Sequence, residues 1–196
     1  HGSAAPNKPS KIVRAPDRQV REQAYGSQSC PADETLEALR ARLVETLDAA
    51  DDPAHYHLAL TDYTVALLSI SVALRPTKAP TLDRVAFDPE TGFGVLDDKR
   101  LADGYTARLT WYPPVARTQL AIYRAHIEQL ARTTLGDTTR EWDIAHRGKL
   151  PFFMLGVRGK LKTVGTLDVI QSLLVRHDSP MAPNFGRHFI RSKLLR

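Results

Sequence analysis

Two arginines, far apart in the chain, stand beside proline or glycine in settings that suit phosphate chemistry. Arg75 closes a strongly apolar stretch and is followed by Pro76, whereas Arg187 follows Gly186 at the start of a basic stretch. A guanidinium is planar, permanently charged and able to hold two phosphate oxygens at once. If folding brings Arg75 and Arg187 together, they could stabilise the charge that develops on a phosphorus centre under attack. Each also has a structural alternative, Arg75 as a charge at a helix C-terminus and Arg187 as a solvent-facing residue.

The basic residues are concentrated towards the end of the chain. Residues 1–139 carry 16 Lys and Arg against 18 Asp and Glu, whereas residues 140–196 carry 11 against 4. This asymmetry favours a polyanionic partner, with double-stranded DNA as the first candidate, although a solvated basic surface is the alternative. The candidate phosphate contacts are Arg158, Lys160, Lys162, Arg176, Arg191, Lys193 and Arg196.

Composition narrows the class of protein further. The hydrophobic fraction of 42 % is enough for a folded core, and the single cysteine, Cys30, can form no internal disulfide. The longest uncharged apolar stretch, residues 63–74, has 12 residues, short of the roughly 20 that a membrane span needs. We therefore expect a cytoplasmic protein without membrane contact. The histidines lack the spacing of metal ligands, and no nucleotide-binding glycine motif occurs, so no metal or cofactor is expected.

Residues 1–31 are expected to form a cloning remnant (His1 to Ser3) and a flexible arm, because they lack apolar periodicity. Residues 32–196 then form the domain. Asp33 is expected to cap a helix from 33 to about 50, and Pro53 to begin a buried helix that runs to about Leu74.

The later elements alternate between strand and helix patterns. Three short runs, 85–87, 92–96 and 105–112, predict a small antiparallel sheet because turn residues separate them. Further helices are predicted from about 115 to 134, from a cap at Thr166 to Val175, and from near Pro183 onwards. Between them, residues 151–155 are expected to be extended and residues 156–162 to form a basic loop. The predicted class is α+β, mainly helical with a three-stranded antiparallel sheet.

This order of elements, with Leu74-Arg75-Pro76 after the second helix, resembles the catalytic domain of the tyrosine recombinases, the phage-integrase family. The family's first arginine lies in a Gly-Leu-Arg-Pro-like frame, and here Ala73 stands where glycine is common. The resemblance covers about residues 33–196. It implies the recombinase catalytic-domain fold for this part of the chain.

The second arginine box of that family reads His-x-x-Arg-His, and residues 184–188 resemble it with Asn184 in the place of the first histidine. The resemblance implies that Arg75 and Arg187 stabilise the phosphate in the transition state. It further implies that Lys99, in the turn after the second strand, protonates the leaving oxygen. An ordinary turn lysine is the alternative for Lys99. Asn184 could position reacting groups or cap the last helix, but it cannot exchange protons as histidine does.

Family members place a nucleophilic tyrosine after this second box, where it forms a 3′-phosphotyrosine with DNA. The last tyrosine here is Tyr123, so we expect a catalytic-domain fragment of a site-specific recombinase that cannot itself cleave DNA. Its parent is expected to assemble on DNA as a synaptic oligomer, and the isolated fragment to be monomeric. The alternatives are a noncatalytic DNA-binding protein or regulator on a degenerate recombinase scaffold, and a helical protein-interaction domain.

Overall fold

A computed structural model of the chain describes residues 30–77, 86–88, 90–97, 107–134, 152–155 and 161–194. Within these ranges there are five helices: α1 (Asp33–Asp48), α2 (Pro53–Ser71), α3 (Pro114–Thr134), α4 (Thr166–Arg176) and α5 (Phe185–Leu194). None of these helices combines the length and the apolar character that a membrane crossing demands. The predicted arm, residues 1–31, lies almost entirely outside the described residues.

Helix α2 is the centre of the fold, since α1, α3, α4, α5 and strand β4 (Phe152–Leu155) all pack against it. From His57 to Ser71 every side chain of this helix is buried or half-buried, as its apolar sequence predicts. The buried hydroxyls of Thr61, Thr64 and Ser69 donate hydrogen bonds to backbone carbonyls four residues earlier. Polar residues are therefore accommodated in this core helix without unpaired hydroxyl donors.

The amino end of α2 follows its sequence signals. The carboxylate of Asp52 accepts hydrogen bonds from the backbone amides of Ala54 and His55, and Pro53 is the first helical residue. The carboxyl end comes earlier than the expected Leu74. Helix α2 ends at Ser71, and Ala73 adopts a left-handed φ of 53°, which turns the chain away from the helix axis.

The small sheet consists of β1 (Ala86–Phe87), β2 (Phe93–Asp97) and β3 (Ala107–Trp111), antiparallel in the order β1-β2-β3. Strand β4 pairs with β5 (Leu161–Val164) in a separate antiparallel hairpin. The predicted class is confirmed as mainly helical α+β with a small antiparallel sheet. The expectation of a loop through residue 162 was wrong, because Leu161 and Lys162 belong to β5, where their backbones pair with β4.

Helix α1 begins at Asp33 as predicted, whereas two predicted cap residues and the start of the last helix were displaced by one or two residues. Ala32, not Asp33, is the N-cap residue of α1, and Asp33 lies in the first turn. Gly165 is the N-cap residue of α4, and the side chain of Thr166 points to another segment instead of its own helix. Helix α5 begins at Phe185, two residues after the predicted Pro183. For Thr166, a tertiary contact absent from the local pattern determines the partner of the side chain.

Candidate functional site

The segment that carries Arg75 lies against the start of α4. The hydroxyl of Thr166 donates a hydrogen bond of 2.8 Å to the backbone carbonyl of Arg75 and accepts one of 2.9 Å from the amide of Thr77. The amide of Leu167 donates to the carbonyl of Thr77 at 2.9 Å. The backbone on both sides of Pro76 is therefore fixed to the first turn of α4.

A side chain of strand β3 is also hydrogen-bonded to the backbone just before this segment. One terminal nitrogen of the Arg108 guanidinium donates to the carbonyls of Val72 and Ala73, each at 2.9 Å. These carbonyls follow the last turn of α2 and need donors from outside the helix. Arg75 itself is half-buried and its Nε is fully buried, so only part of its side chain faces solvent.

The second arginine frame packs against the last turn of α2 through Gly186. A Cβ atom at this position would lie 2.0 Å from the carbonyl oxygen of Ser69 and 2.9 Å from the amide nitrogen of Ile70. Only a glycine allows so close an approach of two helices. Phe185, beside it, is buried at 1 % exposure and anchors the start of α5 in the core.

Asn184 and Arg187 lie at this same helix start. The backbone carbonyl of Asn184 accepts hydrogen bonds from the amides of Arg187 and His188, at 3.0 and 3.2 Å, and the side chains of Asn184 and Arg187 are exposed. Because Gly186 touches Ser69, and the Arg75 segment leaves α2 directly after Ser71, both arginine frames start from the same end of α2. The tertiary structure thus brings together two segments that are more than a hundred residues apart.

The positive charge on α5 acts on a neighbouring histidine. Burial lowers the pKa of His188 below its usual value, and the nearby guanidiniums of Arg187 and Arg191 lower it further. Arg187 and Arg191 are both exposed. The exposed side of α5 therefore carries a positive potential that would attract an anion.

The other predicted DNA contacts have different surroundings. Lys193 forms an exposed ion pair of 2.8 Å with Asp33 and lies over the ring of Phe189. An exposed pair of this kind contributes little to stability and can give way to a phosphate. Lys162 lies in β5. The predicted general acid and three predicted contacts lie outside the described residues: Lys99, Arg158, Lys160 and Arg196.

Arg176 takes part in an internal ion pair. Its guanidinium donates two hydrogen bonds, of 2.9 and 2.5 Å, to the carboxylate of Asp62, which is only 2 % exposed on α2. The ring of His177 lies 3.4 Å from the same carboxylate. The expected role of Arg176 as a phosphate contact thus competes with a structural one. The signal that could have indicated this was a single acidic residue within an apolar helix, which needs a buried partner.

Two histidines that the sequence did not connect meet between α2 and α3. Nδ1 of His57 lies 3.1 Å from Nε2 of His126, and Tyr56 packs edge-on against the His126 ring. A separation of 3.1 Å requires one shared hydrogen, so one ring donates and the other accepts. Burial lowers the pKa of His126, which favours this neutral arrangement.

One group of side chains has the spacing of cation ligands. Asp51, Asp52 and His55 place one ligand atom each within 4.8 Å of one another at the start of α2, and all three are exposed. Asp52 already caps the helix, and its carboxylate pairs with His55 at 2.7 Å. The cap and the ion pair account for this cluster.

Comparisons with models of protein families, with curated proteins and with solved structures found no match to this chain.

Proposed function

We propose that this chain binds duplex DNA through a backbone phosphate held between Arg75 and Arg187, as part of a catalytic domain of the tyrosine-recombinase type. The observation that carries the proposal is the contact of Gly186 with Ser69. It brings the second arginine frame against the helix end from which the first frame emerges. Two arginines whose backbones both lie at the carboxyl end of α2 can direct their guanidiniums to one phosphate group.

The proposed chemistry assigns a different task to each residue. In an in-line displacement at phosphorus, negative charge accumulates on the nonbridging oxygens, and Arg75 and Arg187 would stabilise it. One such preorganised donor typically contributes about 3–4 kcal/mol to the transition state. Lys99 would donate the proton to the departing oxygen, and Asn184 would hydrogen-bond the reacting groups. The parent enzyme would supply a tyrosine as nucleophile.

The electrostatics of α5 also support DNA as the partner. Burial lowers the pKa of His188, and the exposed guanidiniums of Arg187 and Arg191 on the same helix lower it further. Binding to DNA neutralises phosphates and releases counterions, so the affinity should fall steeply as salt concentration rises. The same residues would contact DNA of any sequence, because phosphate contacts carry no sequence information directly.

Substitution of the two arginines tests the proposal. The affinity of Arg75→Ala and of Arg187→Ala for a duplex should each fall about 10- to 100-fold, the usual effect of losing a charge-assisted hydrogen bond. Arg40→Ala is the matched control, because Arg40 lies on α1 in an exposed pair with Glu37. Affinities equal to that of the control, or an affinity of the unaltered chain that does not respond to salt, would refute the proposal.

Asn184 supports a second candidate, a noncatalytic DNA-binding protein on the same scaffold. An amide in this position can hydrogen-bond a phosphate but cannot act as an acid or base near neutral pH. Both candidates predict the arginine effects above. A tyrosine encoded downstream of α5 in the genomic reading frame would favour the enzyme, and a stop codon directly after residue 196 would favour the regulator.

A further inference from the structure

We infer that Thr166 is a positioning residue for Arg75, with Arg108 as its counterpart at the start of the segment. The inference rests on the proposed function, because it assigns to these two residues the task of presenting the Arg75 guanidinium to a phosphate. Neither residue stands out in the sequence as part of a phosphate site. Their contacts with the Arg75 segment identify them.

The hydroxyl of Thr166 is fully used by that segment. Thr166 is 1 % exposed, so water cannot replace its partners. Its single hydrogen is donated to the carbonyl of Arg75, and one lone pair accepts the amide hydrogen of Thr77. In the 3.3 Å contact between the two threonine hydroxyls, Thr77 is then the donor. One buried hydroxyl thus satisfies the backbone on both sides of Pro76.

The backbone here needs donors from elsewhere in the molecule. Ala73 turns the chain out of α2, so the following carbonyls cannot receive the regular hydrogen bonds of that helix. Pro76 has no amide hydrogen to offer. Arg108 supplies donors to the carbonyls of Val72 and Ala73, and Thr166 supplies one to Arg75. Together they fix the position of the backbone from which the Arg75 side chain projects.

Helix α4 is itself anchored at its other end. There Arg176 pairs with Asp62 on α2, and the guanidinium of Arg42 on α1 donates to the carbonyls of His177 and Asp178. An 11-residue helix fixed at both ends can place the Thr166 hydroxyl accurately. Because Gly165 serves as the N-cap residue of α4, the hydroxyl of Thr166 is available for the Arg75 segment. Sites that hold a reacting group need such support, since an error of about 1 Å can abolish much of the effect.

A double-mutant cycle with duplex DNA tests the inference. Thr166→Val removes the hydroxyl at nearly constant shape, and Thr166→Ser retains it. We expect Thr166→Val to weaken DNA binding about fivefold in the unaltered chain and less than twofold in the Arg75→Ala background. The DNA affinity of Thr166→Ser should lie within about twofold of that of the unaltered chain. Hydrogen exchange of the Thr77 amide should accelerate in Thr166→Val but not in Thr166→Ser.

Thr46→Val is the matched control, because exposed Thr46 donates to the carbonyl of Arg42 within α1 and not to the Arg75 segment. If Thr166→Val does not fold, Arg108→Gln takes its place in the cycle with the same expectation. Unchanged affinity in Thr166→Val, or an equal loss in the Arg75→Ala background, would overturn the positioning role while leaving the proposed function intact. If Arg75→Ala itself binds normally, both proposals fail.

Discussion

The carboxylate of Asp62, buried in the centre of α2, is hydrogen-bonded to the guanidinium of Arg176 at the end of α4. Two hydrogen bonds of 2.9 and 2.5 Å join them, across 114 positions of the sequence. Arg176 is 31 % exposed and Asp62 only 2 %, so the carboxylate depends more on this pair than the guanidinium does. The pair fixes α4 to the central helix.

Arg176→Ala should lower the free energy of unfolding by about 3 kcal/mol, because it leaves a buried carboxylate with only His177 beside it. Urea unfolding measures this loss. Arg40→Ala, which breaks the exposed pair with Glu37, should cost less than about 1 kcal/mol. Equal midpoints for the two variants would show that the Asp62 pair contributes no more than a surface pair. A loss of DNA affinity in folded Arg176→Ala that persists in the Arg75→Ala background would support the phosphate contact expected from the sequence, because a loss transmitted through α4 and Thr166 would act only through Arg75.

Ala73→Gly should stabilise the protein. Ala73 has a φ of 53°, a left-handed conformation that costs a residue with a Cβ roughly 1–2 kcal/mol and costs glycine almost nothing. After the extra entropy of glycine in the unfolded chain is subtracted, we expect a gain of up to about 1 kcal/mol. Thermal or urea unfolding measures it. The control is Ala121→Gly on the exposed side of α3, which should lower the free energy of unfolding by about 1 kcal/mol. A similar decrease in Ala73→Gly would contradict the left-handed turn.

DNA binding should strengthen as pH falls because of His188. In the free chain, burial, Arg187 and Arg191 hold the pKa of His188 below its ordinary value of about 6.5. A bound phosphate would offset the positive field and raise this pKa, so the complex would bind a proton that the free chain does not. The affinity should therefore rise as pH falls below the pKa of the complex and level off below that of the free chain.

Fluorescence titrations of a labelled duplex between pH 5 and 8 would measure this linkage. His188→Gln should reduce the pH dependence of affinity, whereas His55→Gln, at the exposed start of α2, should retain it. A pH profile of His188→Gln identical to that of the unaltered chain would exclude His188 as the group that takes up the proton.

Most of the helical framework could be predicted from local patterns. The leucines at 36, 39 and 43 recur at helical spacing and are all buried in α1, and Pro53 marks the start of α2 as the structure has it. These features depend on interactions between near neighbours in the chain, which side-chain type and spacing largely determine. Helix ends were less predictable. The sequence predicted Thr166 as the N-cap residue of α4, because the residues around it give no sign that its hydroxyl donates to the distant carbonyl of Arg75.

By itself, the sequence predicted the five helices and the three-stranded sheet, although not strand β5, and it indicated two arginines suited to phosphate. Only the tertiary structure decided which side chains meet: Thr166 with the Arg75 segment, Asp62 with Arg176, His57 with His126, and Gly186 with Ser69. Each of these contacts joins residues 69 or more positions apart. Such pairs form because packing around α2 removes polar groups from water, and each buried group must then find a partner wherever the fold supplies one.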